Sequence, residues 1–380
     1  MKIKLKIEET VDYLYENLKK ISSNSENYSE KIYSQLICTG ENLSVDIMQE
    51  ILLSLGYSTT VINPLDFLLS DNNSYVDVKI NLTKSINQFS SLKISYDRII
   101  LMAGFIAKNR KKELSTLGRN GSDYSASVLS ACLKANFCEI WKDVDGIYSC
   151  DPNIVKNSFL IKEISYQDAV LFSKFGANIL HHRFIFPIQK FGIPCVVKNT
   201  FSPFSRGTLI TNTFKNKNLS LNLIKGITIS KDVIIVEIYR TDKKTVEEIE
   251  NKILNDFLKF KILMINYKNV FLQKGVFLYY NRKKIIHYTL KNFLFDQKHV
   301  KNGQSFTLIK KMSIISIIGD FRRSYEKVLK SLINFLNNYK IETFFILVDS
   351  SGQAISIPIL SSSIEKIAEL FYHFFFKRRS

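Results

Sequence analysis

The residues best equipped for chemistry stand in one run, Gly118-Arg119-Asn120-Gly121-Ser122-Asp123-Tyr124-Ser125. It combines two glycines, a guanidinium, a carboxylate and several hydroxyls. Glycines let a backbone approach a ligand closely, and the free N–H groups at a helix start attract anions. The run therefore suits a phosphate or a carboxylate, which Arg119 would grip with two N–H arms. A second account stands beside it: a polar loop in which Arg119 and Asp123 simply pair with each other.

Such a loop must be positioned by regular elements, and the flanking sequence offers them. Upstream, residues 99–105 form an apolar run of buried-strand length; downstream, Ala126, Leu129, Cys132, Leu133 and Ala135 recur at helical spacing. Ser122 or Asp123 would cap that helix. Earlier, residues 1–30 read as a charged amphipathic helix carrying Val11, Leu14, Leu18 and Ile21, followed by a Ser/Asn-rich loop over 22–29. Leu36-Ile37-Cys38 reads as a strand, and Leu43, Ile47, Ile51 and Leu55 as one face of a helix after it. Glu41 would then sit at a strand's carboxyl end, where open α/β sheets bind ligands. The other account of Glu41 is an exposed first-turn glutamate favoured by the helix dipole. Residues 59–62 read as a strand with a turn at Asn63-Pro64, and residues 138–141 as a strand leading into Lys142-Asp143-Val144-Asp145-Gly146-Ile147-Tyr148. The Asp-Gly step there is a turn signal by itself. Residues 194–198 form a further strand, with a loop over 199–206.

A chain of 380 residues has room for about two or three domains. Hydrophobic content of 46% with 23% charged residues fits a soluble globular protein. No stretch approaches the roughly 18 to 20 apolar residues of a membrane span, and the charged start does not resemble a signal peptide. These features predict a cytoplasmic protein without a membrane partner. Five cysteines, without C-x-x-C or His-Cys clustering, argue against a disulfide framework and a zinc site and read as small buried hydrophobes. The net charge of +18 is spread through every segment, alongside abundant Ile, Asn and Phe. That pattern predicts no nucleic-acid partner, because phosphate-backbone binding needs basic residues gathered on a face. Adjacent His181 and His182 would diverge by about 100° on a helix, so the pair predicts no metal site.

Five blocks occur in the order found in aspartokinases: Cys38-Thr39-Gly40-Glu41-Asn42-Leu43-Ser44, the 118–126 run, residues 139–152, Phe175-Gly176-Ala177 with Ile179-Leu180-His181, and Asn199-Thr200 followed by Gly207-Thr208-Leu209-Ile210. The chain thus resembles the kinase portion of bifunctional aspartokinase/homoserine dehydrogenases. The resemblance implies a three-layer αβα amino-acid-kinase fold, incomplete at its N-terminus, over residues 1–211. It implies two α+β ACT-like modules over 223–300 and 312–380, and a homo-oligomer assembled through them. It also implies that L-aspartate is held by Glu41, Arg119, Gly121, Ser122 and Asp123, with Glu41 and Asp123 on its ammonium group and Arg119 on its α-carboxylate. ATP, carrying Mg²⁺, would meet Lys142, Asp143 and Tyr148, and no resident metal is implied. The β-carboxylate of aspartate is already a nucleophile, so the chemistry needs charge neutralisation and alignment rather than a general base.

The sequence also departs from that pattern. No Lys-Phe-Gly-Gly-Thr-Ser type segment, whose lysine and glycines hold ATP phosphates in the family, occurs in the 380 residues. The resemblance therefore implies that most of the first strand–helix unit is missing. Lys142 stands where a Thr or Ser is usual, Asn153 and Asn178 where basic residues are usual, and His182 where the family has proline. These departures keep a second reading open, a catalytically impaired aspartate-binding or oligomerising relative. A uridylate- or glutamate-kinase-like identity fits less well, given Arg119 in its block and the paired C-terminal modules. After a linker over 212–222, strands are predicted at 233–238, 261–265, 275–280, 313–318, 342–348 and 354–359, with helices at 245–257, 325–337 and 364–375. Phe344, Phe345, Ile346 and Leu347 would make an apolar strand that an isolated module covers poorly. Val348 and the Tyr267-Lys268-Asn269-Val270 stretch depart from the effector-associated turns of the family. No G-x-G-x-x-G run follows, so no homoserine dehydrogenase activity is predicted for these residues.

Overall fold

The computed structural model describes residues 2–23, 29–95, 97–176, 180, 182–212, 224–239, 267–269, 274–280, 305–322, 324–343, 346–349 and 351–376. In chain order the elements are α1 (Lys2–Ser23), α2 (Glu30–Ser54), β1 (Thr59–Ile62), α3 (Leu82–Ser90), β2 (Ile99–Met102), β3 (Ile106–Lys108), β4 (Leu114–Thr116), α4 (Gly121–Leu133) and β5 (Cys138–Lys142). They continue with β6 (Glu163–Ile164), α5 (Tyr166–Phe175), α6 (His182–Lys190), β7 (Cys195–Asn199), β8 (Thr208–Ile210), β9 (Ile224–Tyr239), β10 (Tyr267–Asn269), β11 (Lys274–Tyr280), β12 (Ser305–Gly319), α7 (Tyr325–Asn338), β13 (Leu347–Val348), β14 (Ala354–Leu360) and α8 (Ile364–Phe376). The architecture is mixed α/β. The chain falls into two compact units, one of Met1–Ile140 with Leu180–Val196, the other of Trp141–Ile179 with Val197–Ser380.

In the first unit, Ser29 starts α2 by accepting a hydrogen bond from the Ile32 N–H at 3.2 Å. The helix then runs without a break through Gly40 to Ser54. The strand expected at Leu36-Ile37-Cys38 is therefore not formed. A three-residue apolar run is equally compatible with either element, and here Ser34 and Cys38, four residues apart, bury one helical face instead. Cys38 packs with Ala103 and Ile106, and Val45 joins the same cluster one repeat further along. β1 and β2 pair in parallel, Thr59 opposite Ile99 through Ile62 opposite Met102. Asn63 accepts from the Leu65 N–H and caps the short 3-10 turn Pro64–Asp66. Between β2 and the 118–125 run lies a hairpin the sequence did not announce, β3 against β4, with Ile106 opposite Thr116.

One sheet has the strand order β5-β7-β8-β6, and a second sheet, within the second unit, the order β10-β11-β9-β12-β14-β13. The second sheet is antiparallel throughout the pairs that define it, with β9 and β12 at its centre. Ile315, Ile317, Ile355 and Ile357 form a core with Leu332 and Phe335 of α7 and Ala368 and Phe371 of α8. The strands expected at 233–238, 275–280, 313–318 and 354–359 and the helices at 325–337 and 364–375 are present, with longer bounds in most cases. Over 342–348 only Leu347–Val348 is strand, Glu342 and Thr343 being irregular, and Phe344 and Phe345 lie outside the described residues. The helix expected at 245–257 and the strand at 261–265 also lie outside them. Among the described residues no helix is long and apolar enough to cross a membrane. All five cysteines are free thiols; Cys132 is half-buried and the others are buried.

Candidate active site

The 118–125 run is built as a tight connection from β4 into α4. Gly118 has φ +75°, a left-handed conformation that glycine adopts without strain, and the Gly121 N–H donates back to the Gly118 carbonyl at 3.1 Å. α4 starts at Gly121 after a left-handed Asn120, and no side chain caps it. The cap expected from Ser122 or Asp123 is thus not made: both lie within the first turn, past the capping position. The buried face of α4 also differs from the expected one. Gly121, Tyr124, Ser125, Val128 and Ala131 are buried, whereas Ala126, Leu129, Cys132 and Leu133 are only half-buried. At the start of that face, small side chains are required because the neighbours come close. A side chain at Gly121 would meet the Phe105 ring at 2.7 Å, and Ser125 Oγ donates to the Gly121 carbonyl while accepting from the Phe105 N–H, both at 2.9 Å.

Glu41 reaches this corner from α2. It stands three residues after Cys38, on the face that Ser34, Cys38 and Val45 turn inward, so the spacing that buries those residues also aims the carboxylate at α4. Ser122 Oγ donates to Glu41 Oε1 at 3.3 Å. Glu41 and Asp123 are half-buried, and Arg119 and Ser122 are exposed. Among the described residues no ion pair joins Arg119 to Asp123, so the self-paired loop is not what forms. Neither earlier account of Glu41 holds: it lies at no strand end, and a position deep inside α2 is far from the helix start where a dipole would favour it. The structure nevertheless gathers Glu41, Gly121, Ser122 and Asp123 at one helix start, with Arg119 on the exposed approach to it.

In the second unit, the run after β5 is a separate, well-tied loop. The Thr200 N–H donates to the Lys142 carbonyl at 2.8 Å. Asp145 is its centre: Oδ1 accepts from the Asn199 side chain at 2.8 Å and Oδ2 from the Tyr148 hydroxyl at 3.0 Å. Burial, with help from the Asp145 carboxylate, raises the Tyr148 phenol above its ordinary value. The Ile147 N–H is held by Thr208 Oγ1 at 2.8 Å, and Gly146 leaves no room for a side chain beside that hydroxyl. Asp143 is exposed, and Lys142 and Tyr148 are half-buried. Asn153 turns back on its own chain, donating to Asp151 through both its N–H and its side chain. Phe175 and Gly176 close α5, where the Phe175 carbonyl accepts from Thr228 at 2.7 Å; Asn178 and His181 lie outside the described residues.

Two features escaped the sequence reading. Asp145 was legible only as part of a turn; its tyrosine partner stands three residues on, but Asn199 closes β7 far along the chain and gives no local signal. The ion pair between Asp77 and Arg183, at 2.7 Å and 3.4 Å, joins residues too far apart in sequence for any local signal.

Residues 6–199 match the model of the amino acid kinase family, and the chain belongs to that family. Within it, the relatives in sequence are aspartokinases. The chain is 37% identical over 345 residues to the bifunctional aspartokinase/homoserine dehydrogenase of Buchnera aphidicola subsp. Acyrthosiphon pisum, covering 90% of this chain and 42% of that protein. It is 30% identical over 332 residues to the corresponding protein of Haemophilus influenzae, covering 87% and 40% respectively. The chain therefore spans less than half the length of these relatives. In structure it resembles Escherichia coli aspartokinase III in complex with aspartate and ADP in the R-state, with a TM-score of 0.83 at 18% identity, over 98% of this chain and 82% of that one. The same enzyme with lysine and aspartate in the T-state gives 0.72. The resemblance read from the five sequence blocks is borne out.

Proposed function

We propose that the chain is an aspartate kinase, which transfers the γ-phosphoryl group of ATP to the β-carboxylate of L-aspartate. The observation that carries it is the meeting of Glu41, Ser122 and Asp123 at the start of α4 beside an exposed Arg119. In this reading Arg119 clamps the α-carboxylate, the Glu41 and Asp123 carboxylates hold the ammonium group, Ser122 presents its helix N–H to the acid, and Gly121, without a side chain, lets the acid come close to the backbone. Holding the amino acid at both charged ends leaves its β-carboxylate as the nucleophile, and alignment then supplies most of the acceleration. Lys142, Asp143 and Tyr148 are assigned to the nucleotide, with Lys142 countering phosphate charge and the Asp145-centred network fixing the loop that carries them. Mg²⁺ enters as the complex of ATP; among the described residues no group of three or more His, Cys, Asp or Glu side chains gathers to hold an ion of its own.

The test is formation of aspartyl hydroxamate from aspartate, Mg-ATP and hydroxylamine, with calorimetric titration of aspartate alongside. Turnover is expected, and a chain that neither turns over nor binds aspartate would overturn the proposal. A second reading, aspartate binding with impaired catalysis, is favoured by one observation: Asn153 donates to Asp151 through both its N–H and its side chain instead of a basic residue offering charge there. Loss of one preorganised donor typically costs about 10²–10³ in rate. Aspartate binding without hydroxamate would select this second reading.

The kinase domain is assigned to residues 1–211 and two ACT-like modules to 223–300 and 312–380. Support comes from the order in the second half, where β12, α7, β13, β14 and α8 follow one another with both helices against the sheet. The modules would assemble the chain into a homo-oligomer, and sedimentation giving a monomer at micromolar concentration would count against that.

A further inference from the structure

The 118–120 connection is clamped from outside by one segment. Residues 75–80 run beside it and are tied on both sides: the Thr116 N–H donates to the Tyr75 carbonyl at 2.9 Å, the Val78 N–H to the Thr116 carbonyl at 2.8 Å, and the Ile80 N–H to the Tyr124 hydroxyl at 3.2 Å. Between these ties Asp77 adopts φ +54°, a left-handed conformation that is uncommon for residues other than glycine. Its carboxylate lies directly against Gly118, where any side chain would overlap Asp77 Oδ1. Arg183 of α6, a helix packed on α4, holds the same carboxylate through two guanidinium nitrogens, at 2.7 Å and 3.4 Å. Both partners are largely buried, with side-chain exposures of 19% for Arg183 and 23% for Asp77.

We propose that the Asp77–Arg183 pair is the positioning element of the acceptor loop. It presses Gly118 into its left-handed turn and so sets the direction in which the next residue, Arg119, presents its guanidinium to the amino acid's α-carboxylate. Asp77 and Arg183 are positioning residues here, acting through Gly118. The proposal rests on the aspartate-binding reading above. Its logic is geometric: a bidentate clamp works only when its fork is aimed, and a displacement on the order of 1 Å at such a site costs up to about 10²-fold.

The test uses the full chain and four proteins: the unmodified protein, Asp77→Asn, Arg183→Lys and the double variant. Aspartate affinity is read by calorimetry, and unfolding midpoints are recorded in parallel. The unmodified chain is expected to bind aspartate, and each single variant to bind it about tenfold more weakly. The double variant should bind no worse than either single one, because both remove the same constraint. The affinity for Mg-ATP should stay within about twofold throughout, a split that general destabilisation would not give. If the unmodified chain binds aspartate and the single variants bind it equally well, the positioning role is overturned while the functional reading stands. If the unmodified chain binds no aspartate, both fall together. Additive losses in the double variant would also overturn it, since they would mean Asp77 and Arg183 act separately.

Discussion

Gly118→Ala isolates how the loop is held. Gly118 sits at φ +75°, where a residue with a Cβ is strained by about 1–2 kcal/mol. The added methyl would overlap Asp77 Oδ1 and approach its Cγ to 2.8 Å and its Cβ to 3.1 Å. Asp77 cannot yield freely, since Arg183 grips it at 2.7 Å, and giving up a charge-assisted bond of this kind costs about 1.5–3 kcal/mol. Both side chains keep some access to water, so the lower end of that range applies and the total comes to about 3 kcal/mol. For a domain of about 150–250 residues this lowers the midpoint by roughly 6–12 °C in a thermal scan. The same substitution made in an Asp77→Ala background meets no carboxylate, and only the backbone share of about 1–2 kcal/mol should remain. Equal losses in the two backgrounds would refute the clamp, and a midpoint unchanged by Gly118→Ala would refute the strain as well.

Arg119→Ala should weaken aspartate binding by about ten- to a hundredfold, the worth of a bidentate charge-assisted grip, while leaving the unfolding midpoint in place because the side chain is exposed; calorimetry and a thermal scan read the two halves. Asp145→Ala removes the acceptor of both the Asn199 and Tyr148 hydrogen bonds and should raise KM for Mg-ATP several-fold, by about 1 kcal/mol or more, with little change in KM for aspartate. Gly40→Ala, in mid-helix with nothing within 4 Å of the new Cβ, should raise stability by up to about 1 kcal/mol, and a lowered midpoint would mean that α2 is broken there. Burial pushes the Cys38, Cys132 and Cys150 thiols from 9.0 up to about 12, so these three should react slowly with a thiol-directed disulfide reagent in native protein at pH 8 and fast in denatured protein, as peptide mapping of the labelled sites would read. The folded state keeps these protons after an unfolded chain has released them, so this contribution to stability is intact below pH 9 and is lost as pH rises toward 12 in denaturant titrations.

The sequence by itself determined the residue sets. Arg119, Gly121, Ser122 and Asp123 stood out because the 118–125 run carries its glycines, charge and hydroxyls side by side, Glu41 only through the family resemblance, and helices such as α7 and α8 were legible because their apolar residues repeat at helical spacing. Only the tertiary structure decided what Leu36-Ile37-Cys38 would become. Three apolar residues before a glycine satisfy a strand or a helix equally, and the choice fell to the burial of Ser34 and Cys38 on one face of α2, with Cys38 against Ala103 and Ile106, residues more than sixty positions away. The same holds for the face of α4, where the side with Gly121, Tyr124, Ser125, Val128 and Ala131 is buried, close to Phe105 at its start, rather than the side that the periodicity favoured. Asp77 and Arg183 carry no local signal at all, because a carboxylate and a guanidinium become a pair only once α6 has packed on α4 and residues 75–80 have been tied to Thr116 and Tyr124. Local composition names the groups that can meet a ligand; long-range packing decides the directions in which they point.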